Sequence, residues 1–382
     1  MTVRLALYNP SEYPRGGMVV TAWAPIARQL GVPRSALVEV TVQGDPEPCD
    51  TQVDILDPAD PEQDQLVFKL RKNLNPGDPN YAIPTAWATV TTTSVYPGNG
   101  GVWADSYPNG VKLGNQRMHI WLNTAVTRHA GEDWYGGAIT SVQLRQFEIL
   151  DAVAADIDQT PHPQIRCAQI DRIHLVRPPW DEDGSIDVFV FNKPWMAFWQ
   201  TISRGPVRVT VTIESASDRY EFKDVDSTKR VFTCSVFRAI SIYADRDDIH
   251  EEVWVKAKSE HGDAPLYLWF SPRYFMLMQL TKKRTTFRYP NHDGWFAVNA
   301  PKRPHHGFGF ATDSHAGPLW NPPLEYTDEH TRHWAYVWEL GATRRARSVS
   351  LFHRKTTPQE LTDAIGWTWY DRLYRPLRAK VL

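Results

Sequence analysis

The sequence carries almost no net charge. Its 382 residues include 42 Lys and Arg against 44 Asp and Glu, which gives a formal charge of −2 at pH 7. Proteins that bind nucleic acid or an anionic membrane by electrostatics need a basic excess or a basic patch. The composition therefore predicts neither nucleic acid nor a membrane as a partner.

Long apolar runs and closely spaced cysteines are also missing. No run reaches the length of about 18 apolar residues that a transmembrane helix needs, and the N-terminal stretch lacks the apolar core of a signal peptide. Cys49, Cys167 and Cys234 lie far apart, so we expect neither a zinc knuckle nor a disulfide framework. These absences predict a cytoplasmic protein.

Signatures of several common enzyme classes do not occur. The chain contains no GxxxxGK[ST], HExxH or GxSxG, and the GFG at 307–309 lies in a strand context without a third glycine. Nucleotide-dependent, zincin and α/β-hydrolase functions are therefore disfavoured, and we predict no cofactor.

Aromatic residues and short strand-like runs are abundant instead. The chain has 16 Trp, 15 Tyr and 15 Phe, and runs such as VRVTVTIES and EEVWVKAK alternate apolar and polar residues between Pro, Gly and Asn clusters. Helical patterns are few: Ala22–Leu30, a weaker stretch at Glu148–Ala155, and the C-terminal region. The pattern predicts an all-β protein.

The C-terminal region has a complete helix start. Thr357 is a suitable N-cap, Pro358 suits the first helical position, and Glu360 completes a capping box. We predict a helix over 358–375 whose apolar stripe (Leu361, Ile365, Trp369, Leu373) is buried.

One loop divides the chain. The stretch YPGNGGVWADSYPN after Tyr96 is rich in Gly, Pro and Asn. We predict an N-terminal β-module over 1–95 and a larger β-domain over 96–382.

Several segments, in serial order, resemble the β-supersandwich of galactose-mutarotase-like proteins, as found in the C-terminal half of family-thirty-eight α-mannosidases. They are LALYNPSEYPRGGMVV at 5–20, CDTQVDILD at 49–57, the stretch from Val111 to Ala152, SRGPVRVTVTIES at 203–215, FRAISIYADRDDIHEEVWV at 237–255, and PHHGFGFATDSHAG at 304–317. The resemblance implies a β-supersandwich preceded by a small β-module. It also implies carbohydrate as the ligand class.

The resemblance does not imply a particular reaction. In those mannosidases the zinc ion and the nucleophilic carboxylate lie in a barrel domain that has no counterpart in this sequence, so no catalytic residue carries over. Exo-acting polysaccharide lyases and mutarotase-type epimerases have a similar sandwich and carry their chemistry on it.

The stretch from Tyr289 to Tyr326 holds the densest set of chemically capable side chains. His306, His292 and Asp313 are candidates for proton transfer, since histidine titrates near neutral pH. The same stretch supplies candidates for substrate binding: Arg303 for an anionic group, and Trp295 and Trp320 for stacking. The alternative is a polar loop with solvated histidines. His305, His306 and His315 do not match a zinc spacing, so we predict no metal site.

A second group lies on a predicted strand near residue 170. Arg172 and His174 are candidates for substrate binding there, and the alternative is a half-buried strand with satisfied polar side chains.

A third group, at 244–255, is acidic. A glycosidase needs two carboxyl groups that flank the scissile bond, about 5 Å apart in a retaining enzyme and about 6.5–9.5 Å apart in an inverting one. Glu251 and Glu252 are adjacent on a predicted strand and so face opposite ways, and the run is more typical of a solvated turn.

These observations predict a carbohydrate-active enzyme, with lyase or epimerase chemistry on an acidic sugar favoured by the abundance of His, Tyr and Arg. A non-catalytic carbohydrate-binding or structural protein, or a glycoside hydrolase with an unrecognised carboxylate pair, are the alternatives. The expected partner is an oligosaccharide or a small sugar, and the oligomeric state is left open.

Overall fold

The computed structural model describes most of the chain. The residues outside the description are 97, 99, 124–126, 130–131, 135–138, 146, 152–164, 177–187, 191–196, 216–217, 224–228, 260–270, 282–285, 289–294, 300–305, 313–323, 328–330, 340–345 and 355–356.

Antiparallel strands dominate the described residues. In the first part of the chain the elements are β1 (Thr2–Tyr8), β2 (Met18–Ala22), α1 (Ala24–Leu30), β3 (Val38–Val42), β4 (Asp50–Asp54), β5 (Gln65–Lys69) and β6 (Ala86–Thr92), with a 3-10 turn at Pro61–Gln63. The next are β7 (Trp103–Tyr107), β8 (Gly110–Gly114), β9 (Met118–Asn123), β10 (Thr127–His129), β11 (Glu132–Trp134), β12 (Ile139–Leu144), β13 (Phe147–Asp151), β14 (Ile165–Val176) and β15 (Val188–Val190).

The second half continues in the same style. Its elements are β16 (Ala197–Arg204), β17 (Arg208–Ser215), β18 (Asp218–Lys223), β19 (Lys229–Tyr243), β20 (Asp248–Ser259), β21 (Ser271–Thr281), β22 (Thr286–Arg288), β23 (Trp295–Asn299), β24 (His306–Thr312), β25 (Leu324–Thr327), β26 (Thr331–Glu339), β27 (Ala346–Arg354), α2 (Pro358–Trp369), a π-helical turn (Tyr370–Tyr374) and β28 (Arg378–Val381).

Within the described parts of the chain, the strands form two large sheets and two small ones, with β10 and β11 as a separate ribbon. A ten-stranded sheet has the path β25-β26-β21-β14-β12-β9-β8-β7 with β13 and β15 at its side, and a nine-stranded sheet has the path β16-β17-β19-β20-β27-β24-β23-β22 with β18. The small sheets are β28-β1-β6-β3 and β2-β5-β4. The prediction of an all-β sandwich with an N-terminal β-part and a C-terminal helix is confirmed.

The two small sheets pack around their own apolar core. Leu5, Leu7, Trp23 and Phe68 are fully or almost fully buried there, and α1 closes one side. The last strand of the chain, β28, pairs with β1 along Leu5↔Val381. Residues of the C-terminal segment thus belong to the same sheet as the first residues.

The nine-stranded sheet is covered on one face by the N-terminal sheets and by α2. Val67 of β5 packs on Val207 and Tyr243, and Leu56 packs with Phe237 of β19. This coverage explains why the polar residues of β17 on that face, Arg208, Thr210 and Thr212, are buried.

Helix α2 begins as predicted. The Thr357 hydroxyl accepts a hydrogen bond from the Glu360 amide at 3.2 Å, and the Glu360 carboxylate accepts one from the Thr357 amide at 2.7 Å. Leu361, Ile365 and Leu373 are buried against β23, β24 and β27, and Trp369 is partly buried beside them. The predicted capping box and buried stripe are confirmed.

The turn after β1 is tied to the segment that follows α2. The Asn9 side-chain nitrogen Nδ2 donates to the carbonyl oxygens of Tyr13 and Leu74 at 2.9 and 3.1 Å, which fixes the turn. The Tyr13 hydroxyl donates to Asp371, and Arg15 forms an ion pair with the same carboxylate at 3.0 Å. The first turn and the last helix therefore form one rigid corner.

The weak helix prediction at Glu148–Ala155 is wrong for the described residues 148–151. They belong to β13, which pairs with β12 through Leu144↔Phe147 after a tight turn in which Arg145 has φ of 57°. The chain folds back directly onto β12, and pairing with this strand overrides a marginal helical pattern.

Candidate functional site

Four of the predicted site residues lie outside the described residues: His292, Arg303, Asp313 and Trp320. His306 is the first residue of β24, and Arg172 and His174 lie on β14. Strand β14 belongs to the ten-stranded sheet and β24 to the nine-stranded sheet. Whether the two predicted loops share a site stays a prediction.

Trp295 is the predicted site residue whose side chain is described. It lies on β23, is 9% exposed, and packs in the cluster that joins β23 to α2. Most of its ring is thus in the interior, and only an edge reaches the surface beside Gly366.

The described residues form a polar cavity where the N-terminal sheets, the nine-stranded sheet and the C-terminal segment meet. Its volume is about 530 Å³, within the range of small-ligand sites. The polar residues that line it are Thr21, Glu62, Gln63, Asp64, Gln65, Arg208, Ser241, Tyr243, His250, Glu251, Glu252, Arg347, Ser348, Asp371, Arg372 and Arg378.

Arg208 lies at the floor of this cavity and is almost completely buried. Its guanidinium donates to Asp54 at 2.6 Å, to Gln65 at 2.6 Å and to the Tyr243 hydroxyl at 3.0 Å. Asp54 is itself fully buried. Burial alone would lower the pKa of Arg208, but the adjacent Tyr243 and Asp54 outweigh burial and raise it above its ordinary value. The cavity floor therefore contains an ion pair between Arg208 and Asp54 in which the guanidinium stays charged.

Gln52 of β4 is hydrogen-bonded to the start of β17. Its side-chain oxygen accepts from the amides of Val207 and Arg208, both at 2.9 Å, and its side-chain nitrogen donates to Asp54 at 2.6 Å. Gly205 leaves room for this contact, since a Cβ there would lie 2.5 Å from the Gln52 oxygen. The position accepts glycine alone without movement of a neighbour.

Tyr243 and His250 stand beside Arg208. The two rings meet edge to face with centroids 4.6 Å apart, and His250 Nε2 lies 3.2 Å from the Asp248 carboxylate. Burial raises the pKa of the Tyr243 phenol, and the charge of Arg208 offsets only part of that shift. The phenol is therefore a neutral proton donor at physiological pH, next to an imidazole oriented by a carboxylate.

The pKa of Asp248 is shifted in the opposite direction from that of Tyr243. Burial would raise its pKa, but His250 and Arg246, by their charge and their hydrogen bonds, hold it well below the usual range of an aspartate. The carboxylate is ionised across the physiological range and fixes the imidazole.

Glu251 and Glu252 contact different parts of the molecule. Glu252 accepts two hydrogen bonds from Gln65 of the N-terminal module, at 2.9 and 3.1 Å, whereas Glu251 forms a buried pair with Arg238 of the neighbouring strand at 2.7 Å. The expectation that these neighbours face opposite ways is confirmed. The interpretation of 244–255 as a solvated turn is wrong for Asp248 and Glu251, which are buried and form ion pairs with Arg246 and Arg238.

Sequence reasoning did not single out Arg208, Tyr243 or Gln52 as site residues. A signal existed, because all three lie in segments that resemble the β-supersandwich family: CDTQVDILD, SRGPVRVTVTIES and FRAISIYADRDDIHEEVWV. Their convergence is a property of the fold that the separate segments do not reveal.

Among the described residues, no group of three or more His, Cys, Asp or Glu side chains has the geometry to hold a metal ion. In the same part of the chain no helix has the length and apolarity needed to cross a bilayer.

Comparison with known proteins gives structural neighbours only. No protein-family model and no curated protein matches the sequence. One solved structure, a protein in glycosyl hydrolase family 38 from Enterococcus faecalis, aligns over all of this chain with 9% identity and a TM-score of 0.47. An α-mannosidase from E. faecalis V583 aligns over all of it with 9% identity and a TM-score of 0.45. The chain spans 47% and 46% of the lengths of these two proteins.

Proposed function

We propose that the chain is a carbohydrate-active protein that acts on an acidic sugar, as a lyase or an epimerase, in the polar cavity at the junction. The observation that carries the proposal is the convergence of Arg208, Tyr243 and His250 on one cavity floor. The cavity volume of about 530 Å³ suits one or two sugar units. The resemblance of the segments that supply these residues to β-supersandwich proteins supports carbohydrate as the ligand class.

The proposed chemistry is proton transfer at the carbon beside a carboxylate. A base removes the C5 proton of a uronate, and Arg347 or Arg372 at the cavity wall stabilises the charge that develops on the carboxylate. In a lyase the electron pair forms the C4=C5 bond, the C4–O bond breaks, and the leaving oxygen takes a proton. In an epimerase the carbon is protonated again from the opposite face.

Two side chains suit these roles. His250, oriented by Asp248, has the arrangement of a general base, and the neutral phenol of Tyr243 has that of a general acid. Arg208 bonds the Tyr243 hydroxyl and so fixes the direction of the acid.

The test is incubation with a panel of uronate and neutral oligosaccharides, followed by ultraviolet absorbance for unsaturated products, reducing ends for hydrolysis and proton NMR for epimers. We expect Tyr243→Phe and His250→Gln each to lower turnover by about 10²–10⁴-fold. Ser241→Ala is the matched control, because Ser241 lines the same cavity but bonds only Thr210 in the described network. It should keep turnover close to that of the wild type.

The same assay tests the residues predicted from the sequence. If His306→Ala abolishes turnover while Tyr243→Phe does not, the reaction belongs to the loops around β24 and not to the junction cavity. New reducing ends without unsaturated product would instead favour a glycoside hydrolase.

A second candidate function is non-catalytic carbohydrate binding. It is favoured by the hydrogen bonds of Arg208. The guanidinium already donates to Asp54, Gln65 and Tyr243, which is the arrangement of a structural ion pair. In that case oligosaccharides would bind, as measured by calorimetry, but no product would form with any member of the panel.

A further inference from the structure

A second cavity lies between the exposed side of α2 and the turn that follows β1. It has a volume of about 510 Å³ and is distinct from the junction cavity. We call it the aromatic groove, and its lining residues are Glu12, Tyr13, Trp295, Thr362, Asp363, Gly366, Trp367, Trp369 and Tyr370.

Three rings of the groove stand in a regular arrangement. Tyr13 and Tyr370 are nearly parallel, with an interplanar angle of 25° and centroids 6.4 Å apart. Trp367 is close to perpendicular to both, at 86° and 84°. Trp367 is 59% exposed. An indole so exposed and yet held by two neighbours is a preformed stacking surface, which loses little side-chain entropy on binding.

The supports of these rings are rigid. The Tyr13 hydroxyl donates to Asp371, and the Arg375 guanidinium lies 5.7 Å from the centre of the Tyr370 ring. The groove is therefore part of the corner that joins the first turn to the last helix.

Gly366 forms part of the groove floor. A methyl group at this position would lie 3.5 Å from Trp295 Cζ2 and 3.9 Å from Trp295 Nε1. The absence of a side chain at 366 thus leaves an edge of the Trp295 indole, including its N–H side, beside the groove.

The charge of the lining restricts the ligand. Among the described lining residues none is Lys, Arg or His, whereas Glu12 and Asp363 are exposed carboxylates. A uronate or a phosphate would be repelled, and a purely apolar ligand would desolvate both carboxylates without compensation. A neutral sugar ring fits this lining, because its apolar face can stack on an indole while the hydroxyl groups at its edge donate to the carboxylates.

We propose that the aromatic groove is a second carbohydrate site, specific for neutral sugar units, with the sugar ring stacked on Trp367 and its hydroxyls donating to Glu12 and Asp363. The inference rests on the proposed function for the ligand class alone. It assigns the groove a binding role that the junction cavity does not share.

The experiment is titration calorimetry of the whole chain with mannose and glucose oligosaccharides, polygalacturonate fragments and chitosan fragments of matched length. We expect the neutral oligosaccharides to bind. Trp367→Ala should weaken their binding roughly tenfold or more. Gly366→Ala should also weaken it by covering the Trp295 edge, while the melting temperature stays equal or rises because alanine favours a helix. Tyr96→Ala, which removes an exposed ring outside the groove, is the control and should bind as the wild type does.

Three results would overturn the inference: no heat with neutral oligosaccharides, equal affinity in Trp367→Ala, or binding of polygalacturonate or chitosan fragments that is lost in Trp367→Ala. The outcome is separable from that of the proposed function. Tyr243→Phe should keep neutral-sugar binding, and Trp367→Ala should keep uronate turnover. Absence of uronate turnover with groove binding intact would refute the proposed function alone.

Discussion

Replacement of Arg208 by Met tests whether its ion pair with Asp54 holds the sheet β2-β5-β4 to the nine-stranded sheet. The side chains of Arg208 and Asp54 are 3% and 0% exposed, so the substitution leaves a buried carboxylate without its counter-charge. Removal of one partner of a buried pair costs about 3–5 kcal/mol. We therefore expect Arg208→Met to lower the free energy of unfolding by that amount, about half of the stability of an ordinary domain.

The reason for the loss can be isolated with a second substitution. Asp54→Asn keeps the size of the side chain and its contacts with Gln52 and Thr210, but removes the stranded charge. The double variant should be more stable than Arg208→Met alone, because the uncompensated charge dominates the cost. Arg71→Met is the control, since Arg71 pairs with Glu47 on the surface and should change stability by at most about 1 kcal/mol.

Urea unfolding gives the free energies, and hydrogen exchange shows where the damage lies. We expect faster amide exchange in β4 and β5, the strands that carry Asp54 and Gln65. A cost for Arg208→Met no larger than that of Arg71→Met, or an equal cost in the double variant, would refute the reasoning.

Three further predictions concern the C-terminal helix and two ionisable groups. Thr357→Ala should cost about 1 kcal/mol in urea unfolding, because it removes the N-cap acceptor; an unchanged midpoint would contradict it. Burial, together with the hydrogen bond to Asp371, raises the pKa of Tyr13 from 10.0 to about 12, so its contribution to stability is complete below pH 10 and is lost as pH rises through about 12. Tyr13→Phe should therefore show a shallower loss of stability than the wild type over that window, and parallel curves would argue against the assignment. Burial raises the pKa of the Cys49 thiol to about 11, so peptide mapping should find Cys49 unmodified by iodoacetamide at pH 8 in the native state; rapid labelling would show that the thiol is accessible.

Local patterns in the sequence were sufficient to predict several of the described elements. Alternation in VRVTVTIES predicted β17, and the capping box at Thr357 predicted α2, because both depend on residues within a few positions of each other. The pattern failed at Glu148, where a short amphipathic stretch is compatible with a helix and the pairing of β13 with β12 decides for a strand.

The candidate site required information that no local pattern contains. The alternation of side chains along β17 places Arg208 on the face opposite Val209. On an isolated sheet that face would be exposed to solvent. The N-terminal module covers it, which is why an arginine needs Asp54 and Gln65 from 154 and 143 residues away.

The strand content and the C-terminal helix follow from the sequence, since composition and short-range periodicity are enough to predict them. Which polar residues are buried together depends on the tertiary structure. It brings Arg208, Tyr243 and His250 to one cavity, it places Asp54 against Arg208, and it pairs β28 with β1 from opposite ends of the chain. Burial and long-range pairing depend on which surfaces contact each other in the folded chain, and short-range sequence patterns do not specify those contacts.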